Sequence, residues 1–214
     1  MSQPAQIDGP RMAPASGRAP ASIVILAHGY GSNGEDLIGL APHWRDALPD
    51  TVFIAPNAPQ PCPDAPGGYQ WWPVWNADRL AGVTGAAEVL NAFIDAELAR
   101  FGLGEDRLAL VGFSQGTMLA LHVAPRRARQ LAGVVGYSGM LIEADAGEIV
   151  TRPPVLLVHG DADPMVPLAA FERAQASLGR LGFELSTHVS QGLGHSIDLA
   201  GLRLGEAFLA RVLA

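Results

Sequence analysis

The 214-residue chain contains no lysine; all 14 of its basic side chains are arginine. That absence excludes Schiff-base catalysis, Ser-Lys dyads and the P-loop lysine together. A single cysteine, Cys62, cannot close an intramolecular disulfide, which fits a reducing compartment. Charge is also sparse: 16% of residues are charged, with a net charge of −7 and no long basic run. The densest basic cluster, Arg126, Arg127 and Arg129, reads as a solvated helix end, so nucleic acid is not an expected partner. No apolar run approaches the ~20 residues that span a bilayer, and residues 1–20 hold no continuous apolar stretch. A cytoplasmic protein with no integral membrane association is the expectation.

What the chain has is core material, with 49% hydrophobic residues, enough for one domain. Residues 1–20 read as a flexible lead or an edge hairpin, and 21–214 as a single domain. The runs SIVILAHG (22–29), TVFIAPNAP (51–59), RLALVGFS (107–114), LAGVVGYSG (131–139) and PVLLVHGDAD (154–163) are nearly continuous in Val, Ile and Leu. Strands buried on both faces require that pattern, as in a parallel sheet. FELSTHVS (183–190) alternates and belongs nearer an edge. Helices fit 84–101, 115–124, 168–181 and 197–213, with Thr84 as an N-cap and Gly102 as a stop for the first. Strand and helix in alternation imply right-handed βαβ units, an α/β fold with helices on both faces of a mostly parallel sheet. Residues 56–83 break the pattern, holding six of the 17 prolines and three of the four tryptophans. A long irregular loop with three indoles reads as a segment folded over a pocket. Trp71, Trp72 and Trp75 would then wall an acyl chain, or simply close a small domain.

Ser114 lies in Gly112-Phe113-Ser114-Gln115-Gly116, between an apolar strand and an apolar helix. This is the setting of a nucleophile elbow, where a strained turn lifts the hydroxyl clear of the sheet and the helix N-terminus favours a developing oxyanion. A serine hydroxyl needs a base, and the base needs a carboxylate to hold its tautomer. Of six histidines, His195 sits in the Gly-rich loop SQGLGHSID (190–198) after the last strand, where a side chain can return over the sheet edge. The loop HGDADPMVP (159–167) offers Asp161 and Asp163, and composition does not decide between them. The order Ser, Asp, His is that of the α/β-hydrolases.

LAHGYGSNGEDL (26–37), APNAP (55–59), GFSQGTMLAL (112–121), HGDADPMVP (159–167) and GLGHSI (192–197) resemble, in order, the phospholipase/carboxylesterase family of α/β-hydrolases. That resemblance implies an α/β-hydrolase fold without a large separate cap domain. It implies Ser114 as nucleophile, His195 as base and Asp163 as the acid, and an oxyanion hole from the backbone N–H groups of Tyr30 and Gln115. No metal or cofactor is implied. The expected activity is hydrolysis of carboxylic esters of short to medium acyl length, on small-molecule or lipid-like substrates. Lysophospholipase or acyl-protein thioesterase activity is the alternative within the family, and a non-catalytic binding protein the alternative outside it. His28 and His159, each in an HG dipeptide, are expected to hold loops at strand ends. Thr117 stands where the family often has glycine, and the segment YQWWPVWN is richer in tryptophan than the family pattern. An exposed aromatic loop would support a homodimer, though nothing in the sequence requires one.

Overall fold

The computed structural model describes residues 6–74, 78–142 and 149–214. Its main sheet has seven strands in the order β1-β3-β2-β6-β7-β8-β9. These are β1 (Arg11–Met12), β2 (Ser22–Ala27), β3 (Thr51–Ile54), β6 (Leu108–Phe113), β7 (Gly133–Tyr137), β8 (Val155–Gly160) and β9 (Leu185–Ser190). All pair in parallel except the two-residue β1, which runs antiparallel to β3 with Arg11 opposite Ile54. A small hairpin, β4 (Gln60–Pro61) and β5 (Tyr69–Gln70), stands apart.

The central strands are apolar on both sides because both sides are covered. One face packs Ile23, Ile25, Leu110, Val134 and Leu157 beneath α3 (Arg79–Phe101), α4 (Gln115–Val123) and α5 (Leu168–Arg180). The other packs Val24, Leu26, Val111, Val135 and Val158 beneath α1 (Gly34–Ile38), α2 (Ala41–Trp44) and α6 (Leu199–Val212). Successive residues of one strand thus enter opposite cores, which removes any polar alternation. Within the main sheet, β9, at one edge, carries exposed positions along its length.

From β2 the chain adds β3 on the side where β1 already lies at the edge, then crosses through α3 to β6 and builds β7, β8 and β9 on the other. The direction of winding reverses between β2 and β6, and ligands in open α/β sheets bind outside the strand ends at such a point.

The long helix departs from the sequence reading at its start. α3 begins at Arg79, not after Thr84, and its N-cap is Asp78, whose carboxylate accepts from Ala81 N at 2.9 Å. Gly82, which reads as a loop residue, lies against an indole: a Cβ there would come within 2.6 Å of Trp72 Cδ1. The helix thus starts from the Asp78 cap, and Gly82 lets it pass close to Trp72. The C-terminal stop is as expected, with Gly102 left-handed at φ 66° and its N–H turned back to Leu98 and Ala99.

Candidate active site

The site is assembled from the C-terminal ends of β2, β6, β7, β8 and β9. At the end of β6, Ser114 has φ 53° and ψ −112°, a conformation that non-glycine residues rarely hold. Its N–H donates to Tyr137 O at 2.9 Å, and its carbonyl accepts from Thr117 N and Met118 N as α4 begins. The flanking glycines are required by space. A Cβ on Gly116 would lie 1.8 Å from Ala27 O, and one on Gly112 would lie 2.4 Å from the backbone of Gly116. Thr117 lies on α4, and its hydroxyl sits 2.8 Å from both Gly112 O and Tyr137 O, tying the elbow to β7.

In the loop after β9, His195 Nδ1 donates to Asp163 Oδ2 at 2.7 Å. A proton on Nδ1 leaves Nε2 as the basic nitrogen. The Asp163 side chain is wholly buried, whereas that of His195 is 20% exposed. Burial alone would push the Asp163 carboxyl up, but donation from Val166 N, from His195 and from Met165 N outweighs it, and its pKa lies below the ordinary value. Phe113, the residue before Ser114, packs its ring 4.9 Å from the imidazole. Ser138 Oγ donates to Ser196 O at 3.1 Å, while Ser138 N donates to Val158 O. The β7 end therefore braces the histidine loop on one side and the elbow on the other.

The two aspartates left open by composition part here. Asp163 reaches His195; Asp161 is exposed and accepts from Gly192 N at 2.6 Å, closing the loop that carries the histidine. His159 is buried and donates from Nε2 to Val166 O at 2.8 Å, fixing the turn around Asp163.

At the end of β2, the His28-Gly29-Tyr30 segment passes beside the elbow: a Cβ on Gly29 would lie 3.3 Å from Ser114 Cβ. Among the described residues, the backbone N–H groups of Tyr30 and Gln115 find no protein acceptor. The Tyr30 hydroxyl donates to Asp64 at 2.6 Å, and this bond with the nearby Cys62 side chain pushes its pKa up. His28 is fully buried, and burial pulls its pKa down against the opposing effect of its bond to Gly29 O.

The tryptophans expected as pocket walls are interior: Trp71 is 1% and Trp72 3% exposed, both within the core beneath α3. Trp75 lies outside the described residues. Sequence reasoning missed how the Trp71–Trp72 segment is held. Gln115 Oε1 accepts from Trp71 N at 2.9 Å and Gln115 Nε2 donates to Trp72 O at 2.7 Å, the pattern of a strand partner supplied by one side chain. Gln115 is 1% exposed, and nothing in the sequence around it marks the pairing with residues 71 and 72. Ser138, left-handed at φ 48°, is not marked by any sequence pattern either.

The chain as a whole has counterparts among known proteins. The family model described as Phospholipase/Carboxylesterase matches residues 12–213. The chain belongs to the phospholipase/carboxylesterase family. The crystal structure of esterase PE8 superposes with a TM-score of 0.92 at 44% identity, over 97% of this chain and 100% of that one. Acyl-protein thioesterase 1 of Kluyveromyces lactis is 30% identical over 93% of this chain and 96% of its own length. Esterase YpfH of Escherichia coli is 26% identical over 82% and 76%. This phospholipase/carboxylesterase family member is thus a hydrolase of the ester- and thioester-cleaving class, on an α/β-hydrolase fold with no separate cap domain among the described residues. No helix among the described residues is long and apolar enough to cross a membrane.

Proposed function

We propose that the protein is a serine carboxylesterase acting through Ser114, His195 and Asp163 on esters of short to medium acyl length. The observation that carries the reading is the 2.7 Å bond from His195 Nδ1 to buried Asp163, which leaves Nε2 as the basic nitrogen of a ring packed on Phe113, the residue before Ser114 in the elbow. In the first half-reaction His195 Nε2 takes the Ser114 proton as Oγ attacks the carbonyl carbon. The resulting oxyanion is met by the N–H groups of Tyr30 and Gln115. His195 then gives its proton to the departing alcohol, leaving an acyl-serine. Water repeats the sequence: it loses a proton to His195, attacks the acyl carbon, and releases the acid as Ser114 recovers its proton. Asp163 stays ionised and steadies the imidazolium.

Thioester hydrolysis is the second reading, favoured by full-length similarity to a protein named an acyl-protein thioesterase. It uses the same groups, with a thiol departing in place of an alcohol. Intact-mass measurement after treatment with a fluorophosphonate tests the shared chemistry. The wild type is expected to gain one adduct and Ser114→Ala none. A panel of p-nitrophenyl esters and matched thioesters of increasing length then separates the two readings. A wild-type protein that neither takes the probe nor cleaves any member of the panel would defeat both.

A further inference from the structure

The oxyanion arm after β2 carries a hydrogen-bond chain that begins inside the core. Ala58 N donates to His28 Nε2 at 3.0 Å, so Nε2 is the bare nitrogen and Nδ1 carries the proton. Nδ1 lies 2.8 Å from Gly29 O, which can only accept. That carbonyl belongs to the same peptide unit as the Tyr30 N–H, the group assigned above to the oxyanion. A donor at a peptide oxygen draws electron density from the nitrogen and makes its N–H a stronger donor. It also fixes the plane of the peptide, and so the direction in which the N–H points. The next carbonyl back is held too: Trp71 Nε1 donates to His28 O at 2.9 Å, with the indole 5.5 Å from the imidazole. Through its backbone N–H, the same tryptophan is bonded to Gln115, which bears the other proposed oxyanion donor.

We infer that His28 is a positioning residue for the oxyanion hole, its Nδ1–H orienting and polarising the Gly29–Tyr30 peptide, with Trp71 joining that peptide's strand end to the Gln115 arm. This rests on the proposed serine mechanism. It assigns His28 more than a loop-holding role, because the bond it makes lies on the peptide that meets the transition state. The buried, neutral ring is suited to this. A protonated ring would lose its acceptor for Ala58 N and place an uncompensated charge in a closed part of the core.

The test compares His28→Leu, His28→Asn and Trp71→Phe with the wild type, using p-nitrophenyl butyrate and an alkyl trifluoromethyl ketone that forms a tetrahedral adduct. Folding of each variant is checked by near-ultraviolet circular dichroism. Losing one direct oxyanion donor lowers kcat on the order of 10²–10³-fold, so losing the group behind it should lower kcat roughly tenfold. KM should stay within about twofold, and the ketone should weaken by the same factor as kcat, since both report the oxyanion. His28→Asn, which keeps a donor near Gly29 O, should recover most of the loss. Trp71→Phe should lose a smaller factor, matched again by the ketone. The inference is overturned by folded His28→Leu with kcat within about twofold of wild type, or by a kcat loss that the ketone does not share. If His28→Leu does not fold, Trp71→Phe decides by the same criterion. A wild type that takes no fluorophosphonate would instead remove the serine mechanism itself.

Discussion

At the residue scale, the site depends on which groups can ionise and which must not. Asp163 is expected to be replaceable only at great loss: Asp163→Asn keeps the shape but offers His195 a wrong tautomer partner, a change worth about 10⁴-fold in kcat in the serine protease case. Asp161→Asn should leave turnover within a fewfold, since the Asp161 carboxylate meets a loop N–H, that of Gly192, and not the imidazole. Steady-state kinetics of the pair measures this directly, and a larger loss in the Asp161 variant would reverse the assignment. His28 makes a separate prediction about stability. Its folded pKa lies below the ordinary 6.5, so below that value the unfolded chain takes up a proton that the folded chain refuses. Stability contributed by neutral His28 is therefore full above about pH 6.5 and is lost as pH falls toward the depressed folded pKa. Melting temperature against pH should slope downward below that point, and the slope should flatten in His28→Asn.

At the scale of elements, two contacts decide whether the strands and helices hold. Arg11 on β1 forks onto Glu97 of α3, whose side chain is 5% exposed. Removing one partner of a fully buried pair costs about 3–5 kcal/mol; because Arg11 is partly exposed and Arg100 stays 3.9 Å from the same carboxylate, Arg11→Ala should cost less, about 2 kcal/mol. Arg11→Leu with Glu97→Leu should lose less than Arg11→Ala alone, and urea denaturation is the measurement. Gly116→Ala should prevent the native elbow from forming, because its Cβ would stand 1.8 Å from Ala27 O. The expected outcome is loss of fluorophosphonate labelling even in whatever protein remains soluble.

Most of this scaffold is legible in the sequence because burial on both faces writes itself as unbroken apolar runs. β2, β6, β7 and β8 fall inside the runs that mark them, and the alternating β9 is the edge strand. The start of α3 is illegible for a specific reason: Gly82 and Gly85 look like breakers, and only the position of Trp72 shows that Gly82 is there for contact. The site divides in the same way. Ser114 and His195 stand out because each follows a strand in a loop rich in glycine. Asp163 and Asp161 are equivalent by composition, and only the three-dimensional return of residues 190–195 brings one to the imidazole and the other to a backbone amide. The two hydrogen bonds between the Gln115 side chain and the backbone of residues 71 and 72 join positions 44 and 43 apart, which no local pattern encodes.

At the scale of the whole molecule, the single thiol is a probe of how the site opens. Cys62, the first residue of the β4–β5 connection, is buried at 5% exposure, with its N–H donating to Gly68 O. The same hairpin reaches the Tyr30 hydroxyl through Asp64 and packs along residues 31 and 32 through Tyr69. Thiol labelling with an aromatic disulfide should therefore be slow in the native protein. If its rate is independent of urea below the global transition, the hairpin opens as a local unit; if it follows the global unfolding curve, the hairpin and sheet open together.

The packing of Trp71 on His28 also makes the protein its own optical gauge. An indole 5.5 Å from an imidazole shares a buried compartment with a group whose charge would alter its emission. The part of the tryptophan signal that vanishes in Trp71→Phe would report, without any substrate or label, whether the interior behind the oxyanion arm is neutral and closed.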